Sequence, residues 1–360
     1  MNSAELFGIA LLVFWALMFL LKKKLEPKGF QIYPFLFLWR KSTRSEWFPN
    51  VAKSKWYKVF EKLGTVLGIA SMIGGIILIF YVLSEFITPK PVQAVGLRLE
   101  PVIPGVTIGI NQLPYILLAI GISVTLHELA HAVSATSNNV KVKSGGILFL
   151  IFFPGAFVEP EEDEFNSSST STKLKIISAG IAVNLILAAV FFPLAVYLPP
   201  MLSQGLQIVG ELPHYPAYNA SIPVNSIILK VNGNKVTTPN QLEAYLHSSS
   251  SPILTLKYPN GSVGNIKVNI SDPQHLLGVY ITYYFPSWAY AILDFIAWMF
   301  TINFSLALFN GAPLIITDGG KIFNEIVKKL GLSERISYLI QGALLMLFIS
   351  AILLSMSPPQ

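Results

Sequence analysis

The sequence predicts a polytopic α-helical membrane protein of about six transmembrane helices, with a re-entrant hairpin and a small β-rich extracytoplasmic domain. Three observations predict it. Hydrophobic residues make up 53% of the 360-residue chain and charged residues only 12%, with a mean hydropathy of +0.58, which excludes a soluble globular protein. Six apolar stretches are each about long enough to cross a hydrocarbon core ~30 Å thick. Between the fourth and the fifth, residues 203–272 turn polar, rich in Pro and Gly, and strand-like.

The absence of cysteine excludes thiolate zinc sites and disulfides. The net charge of +6 is concentrated locally: residues 22–62 hold eleven Lys or Arg against three Glu. That run is bracketed by membrane spans, so it reads as a cytoplasmic loop and not as a nucleic-acid surface.

Taken in order, residues 6–21 form the first span, closed by Lys22-Lys23-Lys24. It lacks a basic leader and a small-residue cleavage site, and so predicts an uncleaved anchor with its N-terminus outside. Residues 31–39 (QIYPFLFLW) are too short to span and are expected in the interface. A second span covers about 64–86, and the Pro-rich section to about 112 is expected outside. The third span, about 114–136, descends inward and is followed by Lys141 and Lys143, as the positive-inside rule requires.

Residues 145–158 (GGILFLIFFPGAFV) are uncharged, short for a spanning helix and broken at Pro154-Gly155. Non-helical backbone at membrane depth needs protein or an aqueous cavity to satisfy it. This predicts a re-entrant hairpin near the third span; a short kinked helix is the alternative. Glu159 to Glu164 and the Ser/Thr-rich 167–172 read as a solvated cytoplasmic loop. A fourth span, about 174–198, carries Asn184, which either bonds a neighbouring helix or serves a site.

Within 203–272, β-rich runs at 207–209, 226–231 and 252–258 are punctuated by Asn232-Gly233 and Asn260-Gly261 turns, and Thr238 opens a helix over 239–247. The order of elements resembles a PDZ domain, although Asn225-Ser226 stands where Gly-Asp is usual. Such a domain takes a peptide as an added strand; here it would filter substrates by their external part, or act as a rigid plug. Three sequons, at Asn219, Asn260 and Asn269, agree with an external face. A fifth span, about 287–309, leads inward to Asp318-Gly319-Gly320 and Lys321, Lys328 and Lys329. A sixth, about 335–355, ends the chain outside. The implied division is 1–112 (first spans and basic loop), 113–202 (core), 203–272 (PDZ-like domain) and 273–360 (second part of the core).

The third span contains His127-Glu128-Leu129-Ala130-His131. HExxH sets two imidazoles four residues apart on one helical face, where both reach one Zn²⁺, and Glu128 about 100° away can hold a water there. Ionisable side chains in lipid are costly and signal function. His127 lies about 13 residues, or ~20 Å of helix, below Pro114, which sets the site in the cytoplasmic half of the bilayer. A catalytic zinc takes three protein ligands plus water. The helix-forming stretch 308–318 offers Asp318 at similar depth, whereas Asp294 lies near the outer end of its span and no fixed element presents Glu159 to Glu164.

These motifs resemble the site-2 protease family of intramembrane zinc metalloproteases. The resemblance rests on HELAH, on Ser178-Ala-Gly-Ile-Ala-Val-Asn184 and on Asn310-x-x-Pro313-x-x-x-x-Asp318-Gly319. Residues 146–160 are most similar to the branch containing the eukaryotic enzyme that releases membrane-bound transcription factors. Thr317 stands where the family usually has Leu, a departure expected to affect packing rather than ligation. The resemblance implies His127, His131 and Asp318 as ligands of one Zn²⁺ and Glu128 as general base, acting on membrane-spanning protein substrates in the bilayer. The hairpin, with Gly155, could clamp an unwound substrate segment, and Asn184 and Asn310 are candidates for orienting substrate or stabilising the oxyanion. Two rivals are a prenyl-protein-type membrane zinc protease, whose second Glu-rich helix motif is not found here, and a non-proteolytic scaffold binding partners through the PDZ-like domain.

Overall fold

The computed structural model describes residues 3–87, 98–270 and 276–356. Residues 88–97 of the expected external segment and 271–272 of the expected PDZ-like domain lie outside the described residues. Two compact units are present: Met1–Val190 with Trp298–Gln360, and Phe191–Ala297.

The first unit is built on helices α1 (Ser3–Leu25), α3 (Lys55–Ile87), α4 (Leu113–Ser137), α6 (Thr170–Leu202), α9 (Ser287–Gly311), α10 (Asp318–Lys329) and α11 (Glu334–Ser355). Short helices α2 (Pro49–Ala52) and α5 (Glu162–Ser167) complete it. Helices α6 and α9 continue into the second unit. Among the described residues, six helices are long and apolar enough to cross a membrane, and α10 is not among them. The fourth continues through Pro199-Pro200 to Leu202.

Helix α3 can sit centrally because one of its faces is small. A Cβ at Gly64 would lie 3.1 Å from Ala182 Cβ, and one at Gly75 would lie 2.7 Å from Ala312 Cα. Between them Ser71 Oγ donates to the Ala307 carbonyl at 2.6 Å. Where lipid removes the hydrophobic drive, such close approach is what holds helices together. Met72, Ile177, Ile181, Ala307 and Ile322 then pack α3, α6, α9 and α10 into one buried cluster.

Four strands flank these helices: β1 (Phe30–Tyr33), β2 (Leu36–Ser45), β3 (Val142–Leu150) and β4 (Phe153–Pro160), antiparallel in that order. The 31–39 segment is thus a hairpin whose second strand pairs with β3, Trp39 opposite Ile147. Residues 145–158 fold as a β-hairpin and not as a kinked helix. The break expected at Pro154-Gly155 is instead a turn at Ile151-Phe152, and both Pro154 and Gly155 lie within β4. Pro154 is tolerated because β4 is an edge strand and its outer side needs no ladder donor. Ile151 has φ +58, a conformation costly for a β-branched residue. Trp15 Nε1 donates to its carbonyl at 2.8 Å, and its own N–H donates to the Phe35 carbonyl at 2.7 Å.

The second unit holds β5 (Gly205–Glu211), α7 (Pro216–Asn219), β6 (Ile227–Val231), β7 (Asn234–Lys235), α8 (Pro239–Leu246), β8 (Ile253–Lys257), β9 (Val263–Lys267) and β10 (Val279–Tyr284). The strands pair antiparallel in the order β10-β5-β6-β8-β9, with β7 on β6. Its sheet therefore extends beyond residue 272. Asn232 (φ +49) and Gly233 (φ +81) make the tight β6–β7 turn, and Thr238 caps α8 by accepting from Gln241 N–H at 3.3 Å. Leu206, Ile208, Ile228, Leu254 and Leu256, all fully buried, anchor its core.

Candidate metal centre

Helix α4 places His127 and His131 one turn apart on its buried face, with their Nε2 atoms 3.1 Å from each other. Helix α6 faces them with three residues at the same four-residue spacing. The Ile176 carbonyl lies 2.7 Å from His131 Nδ1, and Asn184 Nδ2 lies 3.1 Å from His127 Nδ1. Gly180, between them, leaves room for the rings: a Cβ there would fall 2.5 Å from His127 Nε2.

Asp318 comes from a different arrangement than the expected helix over 308–318. Helix α9 stops at Gly311 and Asp318 opens α10. Pro313 lacks the N–H that would continue the helix. Thr317 Oγ1 accepts from Leu314 N–H and from Gly320 N–H, each at 3.2 Å, so it closes the turn and caps α10. An acidic residue in the first turn also suits the helix dipole. Asp318 Oδ2 then lies 3.1 Å from both His127 Nε2 and His131 Nε2. Its Oδ1 accepts from Lys321 Nζ at 3.0 Å. Burial works to raise the Asp318 carboxyl, but the nearby His131, His127 and Lys321 hold it well below the usual carboxylate range. The Asp318 charge in turn raises the exposed Lys321 ammonium.

The donor set fits a zinc ion. Two nitrogens and one carboxylate oxygen form a triangle of 3.1 Å edges, close to the ~3.3 Å between ligand atoms of a tetrahedral zinc bound at ~2.0–2.1 Å. The three are buried and form a group able to hold a metal ion.

Glu128, half-buried on the next face of α4, accepts from Val158 N–H of β4 at 2.9 Å. Beside it opens a cavity of about 460 Å³, lined by Glu128, His131, Val158 and Asp318 together with Arg40, Lys143 and Lys321. The acidic run expected as a solvated loop contributes here as well. Glu159 is the penultimate residue of β4 and Glu162 opens α5; both line the cavity. Glu159 is fixed by Arg40 at 2.6 Å and by the Ser144 hydroxyl, so ordered elements do present these acids.

Of the other expected site residues, Asn184 is fully buried against His127 and does not line the cavity. Asn310 is half-buried in the last turn of α9. Gly155 pairs with Leu148 inside the sheet, where a Cβ would meet the Leu148 side chain at 2.7 Å. Four contributors escaped the sequence reading: the Ile176 carbonyl, Gly180, Val158 N–H and Lys321. The 176/180/184 spacing was a usable signal for the first two, since it repeats that of the histidines. A main-chain donor such as Val158 N–H leaves no mark in sequence.

Residues 115–353 match peptidase family M50. An uncharacterized protein of Methanocaldococcus jannaschii is 29% identical over 312 residues, covering 82% of this chain and 79% of that protein. A membrane-bound transcription factor site-2 protease homolog of Arabidopsis thaliana is 26% identical over 214 residues, 57% of this chain and 40% of its own length. A Clostridium acetobutylicum protein provisionally named a zinc metalloprotease is 28% identical over 186 residues, 44% of this chain and 53% of its own. With its HELAH histidines and the aspartate of α10 inside the matched region, the chain belongs to peptidase family M50, the site-2 protease family.

Proposed function

We propose that the chain is an intramembrane zinc metallopeptidase that cleaves transmembrane segments of membrane-anchored proteins. The observation that carries this reading is the convergence of His127 Nε2, His131 Nε2 and Asp318 Oδ2 beside Glu128, with both histidines and Glu128 on α4, a helix apolar enough to lie in a bilayer, and Asp318 at the start of α10. His127, His131 and Asp318 would hold one Zn²⁺ per chain. When bound, zinc supplies Lewis acidity, polarising the scissile carbonyl and lowering the pKa of water toward ~7. Glu128, steadied by Val158 N–H, takes the proton of the attacking water and passes it to the leaving amine. The polar cavity admits that water. Asn310, eight residues before Asp318, is the candidate for stabilising the oxyanion.

A substrate helix has its carbonyls locked in hydrogen bonds and must unwind before attack. Strand β4 offers it a partner edge. Since Val158 N–H points outward to Glu128, alternation turns Ala156 N–H the same way, along with Pro154 and Pro160, which have none. The edge is thus a short window bounded by prolines, with Gly155 in the strand that forms it.

In this reading the hairpin re-enters the membrane. The termini and the second unit face outside, and the metal centre lies in the cytoplasmic half of the bilayer. Lys22 to Lys24, Lys141, Lys143, Lys328 and Lys329 support that orientation. The second unit, which we read as PDZ-like, filters substrates by their external part. Its peptide ligand would be the substrate's own ectodomain.

Metal analysis of the purified chain tests the core of the reading. About one zinc per chain is expected, lost in Asp318→Asn. A chain that binds no zinc would overturn it in favour of the scaffold.

A further inference from the structure

Each of the three candidate ligands has its second polar atom occupied. His131 Nδ1 faces the Ile176 carbonyl at 2.7 Å. A carbonyl only accepts, so Nδ1 carries a proton, and in the neutral ring this leaves the Nε2 lone pair for the cluster. Asp318 Oδ1 is held by Lys321, which leaves Oδ2 toward both histidines. The third partner is Asn184. It is fully buried, and its amide lies 3.1 Å from His127 Nδ1. Its other end, Oδ1, finds no hydrogen-bond partner among the described residues.

A buried amide with an unpaired atom is unfavourable in a helix–helix contact, and an apolar side chain of that size would pack there without the cost. If its only role were to join helices, the expected partner would be a backbone carbonyl or a polar residue of structural character. What Asn184 meets is the non-ligating nitrogen of His127. The amide has a further property that suits this place. Its oxygen and nitrogen ends are nearly isosteric, so a half-turn about the terminal bond exchanges an acceptor for a donor without moving the helix. With Nδ2 toward the ring, His127 carries its proton on Nε2, pointed into the cluster. With Oδ1 toward the ring, Nδ1 carries the proton and Nε2 is free to bind a metal.

We propose that Asn184 is a positioning residue for the metal centre, accepting the Nδ1 proton of His127 through Oδ1 and so selecting the tautomer whose Nε2 lone pair faces the ion. This assignment rests on the zinc reading above and replaces the substrate or oxyanion role considered for Asn184. Ile176 performs the same selection for His131 through its main chain.

The test uses the full chain in detergent, with zinc affinity measured by competition against a chromophoric chelator for wild type, Asn184→Leu and Asn184→Asp. Outer partners of ligating histidines typically contribute about 10–100-fold in metal affinity. Asn184→Leu is expected to lose that factor while its thermal midpoint without metal stays level or rises. Asn184→Asp, which can only accept from Nδ1–H, is expected to retain affinity within a few-fold. In zinc-loaded wild type, ¹⁵N spectra of the labelled histidines, five in all, should show His127 protonated at Nδ1. Wild-type affinity in Asn184→Leu, or a His127 proton on Nε2 in the loaded protein, would overturn the proposal alone. A wild type that takes up no zinc would remove it together with the metallopeptidase reading.

Discussion

Gly180 lies so close to His127 that a Cβ on it would fall 2.5 Å from the imidazole Nε2 atom, and closer still to that of His131. The glycine is therefore part of the metal centre, although it offers no ligand atom. Gly180→Ala should fold, since alanine favours the helix, yet displace both imidazoles. A misplacement of about 1 Å can cost ~10²-fold in rate. Zinc content and peptide cleavage should fall together in this variant; a fully active Gly180→Ala would mean that the rings do not occupy this position.

Val158 N–H donates to Glu128 and takes no part in the β3–β4 ladder. Val158→Pro therefore removes one donor from the carboxylate without removing a strand bond. A hydrogen bond to a charged group contributes about 1.5–3 kcal/mol, so kcat is expected to fall by roughly 10–100-fold, with zinc content unchanged. Unchanged kcat would dissociate the strand from the general base.

Lys321 holds Asp318 Oδ1 at 3.0 Å. Lys321→Met should weaken zinc binding by ~10-fold or more, and Lys321→Arg should recover most of it. Equal chelator resistance in all three proteins would show that Asp318 is oriented by its backbone alone.

The Thr317 hydroxyl closes the turn before α10. Thr317→Ala is expected to destabilise the protein by about 0.5–2 kcal/mol, read as a lower thermal midpoint in detergent. The remaining folded fraction should keep its zinc.

The proposed orientation has a clean readout because the chain contains no cysteine. A single cysteine at Lys24 should react with an impermeant maleimide only from the cytoplasmic side, and one at Ser249 only from outside. Labelling of both from one side would contradict the six-span topology.

What was legible in the sequence depended on whether the relevant spacing was local. His127, Glu128 and His131 could be read directly, because a helical repeat of four puts both rings on one face. The apolar helices could be read from length and hydropathy. Asp318 could be found by its motif but was misplaced on a continuous helix, although Pro313 was a warning that the helix stops. The pairing of 36–45 with 142–150 could not be read, because Trp39 and Ile147 meet across more than a hundred residues and no local periodicity encodes that contact. For the same reason Asn184 was recognisable as an oddity in an apolar helix, but its partner was not.

The central claim is that Glu128, next to a zinc held by His127, His131 and Asp318, performs peptide hydrolysis. Cleavage of a model transmembrane substrate by the purified protein in detergent tests it most directly, comparing wild type, wild type with a zinc chelator, and Glu128→Ala. The wild type should cleave and the chelated protein should stop, recovering on zinc addition. Glu128→Ala should retain its zinc and lose ~10²–10⁴-fold in rate, the usual contribution of a general base. Cleavage by Glu128→Ala at the wild-type rate would contradict the catalytic assignment.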